Sequence, residues 1–189
     1  MENFFYKLLG QKTFDFYDTF INNAFYELIL NGILWTLGLT IIAASVGLII
    51  GVVVALIGFI KPSRKRGLLG KVIRVIQKIL KWIASAYVYI IRGTPTTVQV
   101  IFLWTVVFAA VPSEYRIWVG GLAFGINSGA YMSELIRAGI QGIDKGQMEA
   151  GRSLGFTYAQ TMKSIILPQA FKQMLPAFVS EFIVLIKET

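Results

Sequence analysis

The chain's chemistry is limited by what it lacks. It holds no histidine and no cysteine, which removes thiol nucleophiles, the usual imidazole base, and any disulfide or Cys/His metal site. No Gly-x-x-x-x-Gly-Lys-[Ser/Thr] phosphate loop occurs, so no ATP hydrolysis is expected from this chain alone. What remains is a set of polar side chains inside apolar sequence. Asn127, Tyr131 and Glu134 follow i, i+4, i+7 spacing and share one helix face, with Ser128 beside them and Glu181 further on. Two lone carboxylates do not make a catalytic pair, so the chemistry they suit is binding, with a preference for a cationic or zwitterionic solute. Each has a structural alternative: Glu134 as the partner of Arg137 at a cytoplasmic interface, Tyr131 as a packing residue. Ionisable groups in lipid are costly, which makes Glu134 and Glu181 candidates for a solute pathway.

The surrounding elements are membrane elements. Of 189 residues 56% are hydrophobic and 15% charged, against about 25% charged in a soluble domain. An uncharged run extends from Leu28 to Ile60, longer than the roughly 20 residues that cross a bilayer. Net charge is +8, but its placement argues against nucleic acid. Lys61, Arg64, Lys65, Arg66, Lys71, Arg74, Lys78, Lys81 and Arg92 follow that run with no acidic residue among them, the positive-inside signal. Glu2, Asp15, Asp18 and Glu27 outnumber Lys7 and Lys12 before it, so residues 1–28 are expected outside the cell, with no cleavable signal peptide.

Spans are expected at about 29–60, 94–111, 117–137 and 164–186. Gly47 and Gly51 in the first have small-xxx-small spacing, which fits close helix packing and equally the general abundance of glycine in membrane helices. Lys61-Pro62 ends that helix. From 68 to 91, Lys71, Arg74, Lys78 and Lys81 recur at three- and four-residue steps among apolar residues, the pattern of an elbow helix lying along an anionic interface. Arg92-Gly93-Thr94-Pro95 opens the second span, Pro95 in its first turn, with Arg92 read as an anchor snorkelling to the interface. The fourth span is interrupted by Pro168, Lys172, Pro176 and Glu181.

Between the third and fourth spans, 142–163 is polar. Glu149 to Leu154 reads as one short helix, Gly155 as a bend, and Tyr158 to Ile166 as a second helix that delivers the chain to the membrane at Leu167-Pro168. The unit Glu149-Ala150-Gly151, Gly155, Ile165, Leu167-Pro168 resembles the EAA loop of permease subunits of bacterial ABC importers. That pattern is Glu-Ala-Ala, three residues, Gly, nine residues, Ile, any residue, Leu-Pro; only Gly151 departs from it. Arg92-Gly93-Thr94-Pro95 with Val98-Gln99 is similar to the second-span start in permeases of the polar amino-acid uptake type.

The resemblance implies an all-α permease core of the five-helix, MetI-like type over residues 29–189. It also implies a pair of permeases (two copies, or one with a paralogue) around a central pathway. Two ATPase subunits that use ATP and Mg, an extracytoplasmic substrate-binding protein and a polar amino-acid substrate complete the implied system. The chain itself would hold no cofactor or metal, and would sit as a multi-pass protein in a bacterial cytoplasmic membrane. On this resemblance Glu149, Ala150, Gly151, Leu154, Gly155, Ile165, Leu167 and Pro168 couple the chain to its ATPase. Family members run past Lys187-Glu188-Thr189 into a final span that this sequence lacks; the expectation is that the sequence is a fragment, the alternative being a truncated gene product. The rival readings are a channel subunit, a membrane-embedded enzyme, and a non-transporting structural partner of a paralogous permease.

Overall fold

A computed structural model describes residues 25–63 and 67–189. The expected outside segment 1–28 therefore lies beyond the described residues except at its last four, and so do Arg64, Lys65 and Arg66. Helix α1 is Phe25–Phe59 and α2 is Gly67–Gly93. Helix α3, Thr96–Phe102, runs into a π turn, Leu103–Val107. A 3₁₀ turn, Ser113–Tyr115, leads into α4, Arg116–Gln141. Then come α5, Lys145–Ser153, and α6, Tyr158–Thr161, a π turn, Met162–Ile166, and α7, Leu167–Glu188. Up to Gly38 the described residues are the first part of α1; the packing below involves residues from Leu39 onward.

Helix α4 is the centre. Twelve of its residues are buried, and α2, α3 and α7 all pack on it. Along α1 the buried positions Ala43, Gly47, Gly51 and Ala55 recur every fourth residue, and they meet Gly121, Gly125 and Gly129 of α4. A methyl group on Gly51 would lie 2.6 Å from the Met132 Cβ and 3.2 Å from the Gly129 carbonyl oxygen. One on Gly125 would lie 3.1 Å from the Ala43 carbonyl oxygen. The two backbones therefore touch, and of the two readings of Gly47 and Gly51 the packing one describes this protein.

Three local expectations change. Pro95 stands at the N-cap of α3, just before its first turn. Helix α2, expected as an interfacial elbow, also packs on the bundle: Ala84 is buried and the Tyr87 hydroxyl donates to the Ile126 carbonyl of α4, while the basic Lys71, Arg74 and Lys78 occupy its exposed end. Finally, the chain does not break at Leu167-Pro168. Tyr158–Glu188 is one 31-residue helix. Pro168 has no N–H and its ring would strike the carbonyl four residues back; the π turn just before it widens the helix at that place. Pro176 sits inside α7, where Ser180 Oγ donates to its carbonyl at 3.0 Å.

Among the described residues, α1 and Tyr158–Glu188 are long and apolar enough to cross a membrane. Helices α2 and α3 make a third if they are one span, bent by 108° at their junction.

Candidate functional site

Two places collect the polar residues. The first is the α2–α3 break and the cleft beside it. Breaking a helix at membrane depth strands carbonyls that lipid cannot satisfy. Gln99 satisfies them: its Nε2 donates to the Ile91 carbonyl at 2.7 Å and the Thr94 carbonyl at 3.1 Å, and Thr94 Oγ1 donates to the Ile90 carbonyl at 2.9 Å. Asn127, 4% exposed, donates its Nδ2 to Gln99 Oε1 at 2.8 Å. So Asn127 shares a helix face with Tyr131 and Glu134, but the break covers its part of that face. Gln99 is the residue that motif reading left without a role. The signal was present: an amide in an otherwise charge-free segment, a few residues past a Gly-Thr-Pro interruption.

Below the break, Glu134 Oε2 lies 2.8 Å from Arg137 Nη2 and 3.7 Å from Arg92 Nη1. The Arg92 guanidinium also rests over the Tyr131 ring, 5.3 Å from its centre. Arg92, expected as a snorkelling anchor, thus also takes part in an ion pair with α4. On α7, Glu181 Oε1 accepts from Ser128 Oγ at 2.9 Å, with Ser128 fully buried. Arg92, Tyr131, Glu134, Ser180 and Glu181 line one cleft of about 530 Å³ between α4 and α7. It presents a guanidinium, an aromatic face and two carboxylates, groups that match the carboxylate and ammonium of an amino acid.

The second place is the polar loop between α4 and α7, where every helix end is closed by a local bond. Asp144 Oδ1 accepts from the Gly146 N–H at 2.6 Å at the start of α5. At its end the Phe156 N–H bonds the Gly151 carbonyl and the Gly155 N–H the Arg152 carbonyl, a Schellman motif whose left-handed residue is Gly155, φ 85°. Thr157 and Gln160 then form a capping box for α6. Gly151, the departure from Glu-Ala-Ala, is buried, and a methyl group there would lie 2.6 Å from Thr161 Cγ2. Here the missing methyl makes room for Thr161 and for Ile165, whose Cδ1 would be 3.1 Å away.

Glu149 and Ala150 are exposed on α5. The tip carries apolar residues facing outward: Leu154 is 76% exposed and Phe156 40%. Ile166 is buried beneath, while Leu167 and Pro168 are exposed at the start of α7. The loop is tied to the membrane helices at two points. Lys61, just past α1, lies 4.2 Å from the centre of the Tyr158 ring, and Gln169 of α7 donates to Gln147 of α5 at 3.3 Å.

Residues 67–189 match the family described as binding-protein-dependent transport system inner membrane component. The arginine transport system permease protein ArtQ of Bacillus subtilis is 39% identical over 166 residues, 85% of this chain and 67% of that protein. A putative glutamine transport system permease of Rickettsia prowazekii is 37% identical over 162 residues, with the same coverage. The chain thus spans about two thirds of the length of these relatives. Among solved structures, a crystal structure of an amino acid ABC transporter with histidines matches with TM-score 0.72 and 39% identity, over 87% of this chain and 70% of that one. An inward-facing MetNI methionine ABC transporter matches at TM-score 0.64 and 21% identity, a likeness of fold. The chain belongs to the family of inner membrane components of binding-protein-dependent transport systems, and within it to the amino-acid ABC-transport permeases.

Proposed function

We propose that this chain is the membrane half of an importer that carries a polar amino acid across a bacterial cytoplasmic membrane, driven by ATP and Mg on separate ATPase subunits. The observation that carries the reading is the loop of α5 and α6: rigidly capped at each end, apolar at its exposed tip, and continuous with a long membrane helix. Leu154 and Phe156 suit insertion into a groove on a partner, with Glu149 giving that contact a sign of charge. The loop then faces the cytoplasm, and α1 begins outside.

Movement of the loop has one stiff route inward. From Tyr158 the helix reaches Glu181 without a break, about 35 Å at 1.5 Å per residue, so displacement at the tip becomes displacement of the Glu181 carboxylate against Ser128. The solute is a zwitterionic or cationic amino acid, its ammonium on Glu181 or Glu134 and its carboxylate on Arg92. A second permease copy or a paralogue completes the pathway, and an extracytoplasmic binding protein delivers the solute. The channel reading has no use for a capped and protruding loop, and the reading as a passive partner has none for the charged cleft.

The test is co-purification of the complete gene product with its genomic-neighbour ATPase in detergent. Native Glu149 should yield a complex that Glu149→Arg loses. Failure of the ATPase to bind a folded permease would overturn the reading in favour of a channel.

A further inference from the structure

A second cavity, about 580 Å³, lies between α1, α2 and α4. Its walls mix apolar residues such as Val54, Ala55, Ala84 and Val88 with charged ones, Lys81 and Arg92 of α2 and Glu134 and Arg137 of α4. The charges do not balance. Among the described residues Glu134 is the only carboxylate in the lining, and it is already shared between Arg92 and Arg137. Lys81 has no carboxylate within ion-pair distance among the described residues. A half-exposed lysine beside a groove that is part basic and part apolar suits an anion that brings its own apolar body.

The position of Lys81 points the same way. Gln77, one turn earlier on α2, accepts from the Ser63 N–H at 3.0 Å and donates to the Lys61 carbonyl at 3.3 Å. It thereby marks the level at which the chain leaves the apolar α1. Lys81 stands one turn, about 6 Å, further along α2, on the side of Ala84, which is buried against the bundle. The exposed Lys71, Arg74 and Lys78 lie on the headgroup side and would gather anionic lipids. A second copy of the chain is a poor occupant, since two like-charged grooves repel.

We propose that this groove is a binding site for one anionic phospholipid, its phosphate held between Lys81 and Arg137 and one acyl chain lying along Val54, Gly58, Ala84 and Val88. The site serves the permease whichever solute it carries.

The test uses the complete transporter, delipidated and offered equal amounts of phosphatidylglycerol and phosphatidylcholine, with retained lipid counted by native mass spectrometry. One phosphatidylglycerol per permease should be kept in preference to phosphatidylcholine. Lys81→Gln should lower that retention about fivefold, the weight of one basic contact at an anionic headgroup. Gly58→Leu changes no charge, and a side chain there meets nothing within 4 Å, so it should fold normally yet fill the groove and lower retention as well. Lys71→Gln, outside the groove, removes only diffuse attraction and should lower retention far less than Lys81→Gln. Equal losses with Lys71→Gln and Lys81→Gln, or undiminished retention with Gly58→Leu, would overturn the site in favour of diffuse attraction. Cross-links from Lys81 to a second permease copy without retained lipid would overturn it in favour of a protein cover.

Discussion

Helices α1 and α4 lie against each other along four turns and are written in different alphabets. From Val46 to Phe59, outside its small-residue seam, α1 is apolar, and Leu48, Ile49, Val52, Val53 and Leu56 are exposed. Helix α4 buries twelve of its 26 residues, yet it carries Asn127, Ser128, Ser133 and Glu134, and it does not pass as a membrane span on length and apolarity. The difference teaches what hydropathy measures. A helix that meets lipid must be apolar because lipid offers its side chains no hydrogen bonds. A helix enclosed by other helices can be polar, because its neighbours supply the partners.

Substitutions can break that comparison. The largest effect is expected at the seam: Gly51→Leu forces the two backbones apart and should cost about 3 kcal/mol, as overpacking of a tight core does, read as a drop in the unfolding midpoint in detergent. Next is Asn127→Ala, which removes the donor to Gln99 Oε1 and leaves a polar atom without a partner, a loss of about 2 kcal/mol. Hydrogen exchange at Ile91 to Thr94 should quicken in the same variant, because Gln99 holds those carbonyls. The smallest is Ile49→Ala on the outer face of α1, where lipid replaces the lost contacts and stability should move by no more than about 0.5 kcal/mol. A larger cost at Ile49 would mean that protein, not lipid, covers that face.

Much of this was written plainly in the sequence where charge and proline act locally. Lys61-Pro62 stops α1, Gly155 turns the loop, and the spacing from Glu149 to Pro168 marks the family. Less was legible where one residue's role depends on a distant one. The ion pair of Arg92 with Glu134 cannot be read from either residue alone, and Gln99 is only a polar oddity until the α2–α3 break needs its amide. Pro168 misled for another reason. Proline removes a hydrogen bond with certainty, but whether the helix then ends or widens depends on the turn before it, and Met162–Ile166 took the second course.

That π turn has a consequence of phase. A π turn accommodates one residue more than an α-helix would, and each residue is worth about 100° of rotation. It therefore sets the angle at which α7 leaves the loop and directs Glu181 toward Ser128. An insertion or deletion of one residue between Gly155 and Glu181 would thus turn the Glu181 carboxylate about 100° away from Ser128, a fault in the clocking of the shaft that a change of side chain along it would not produce.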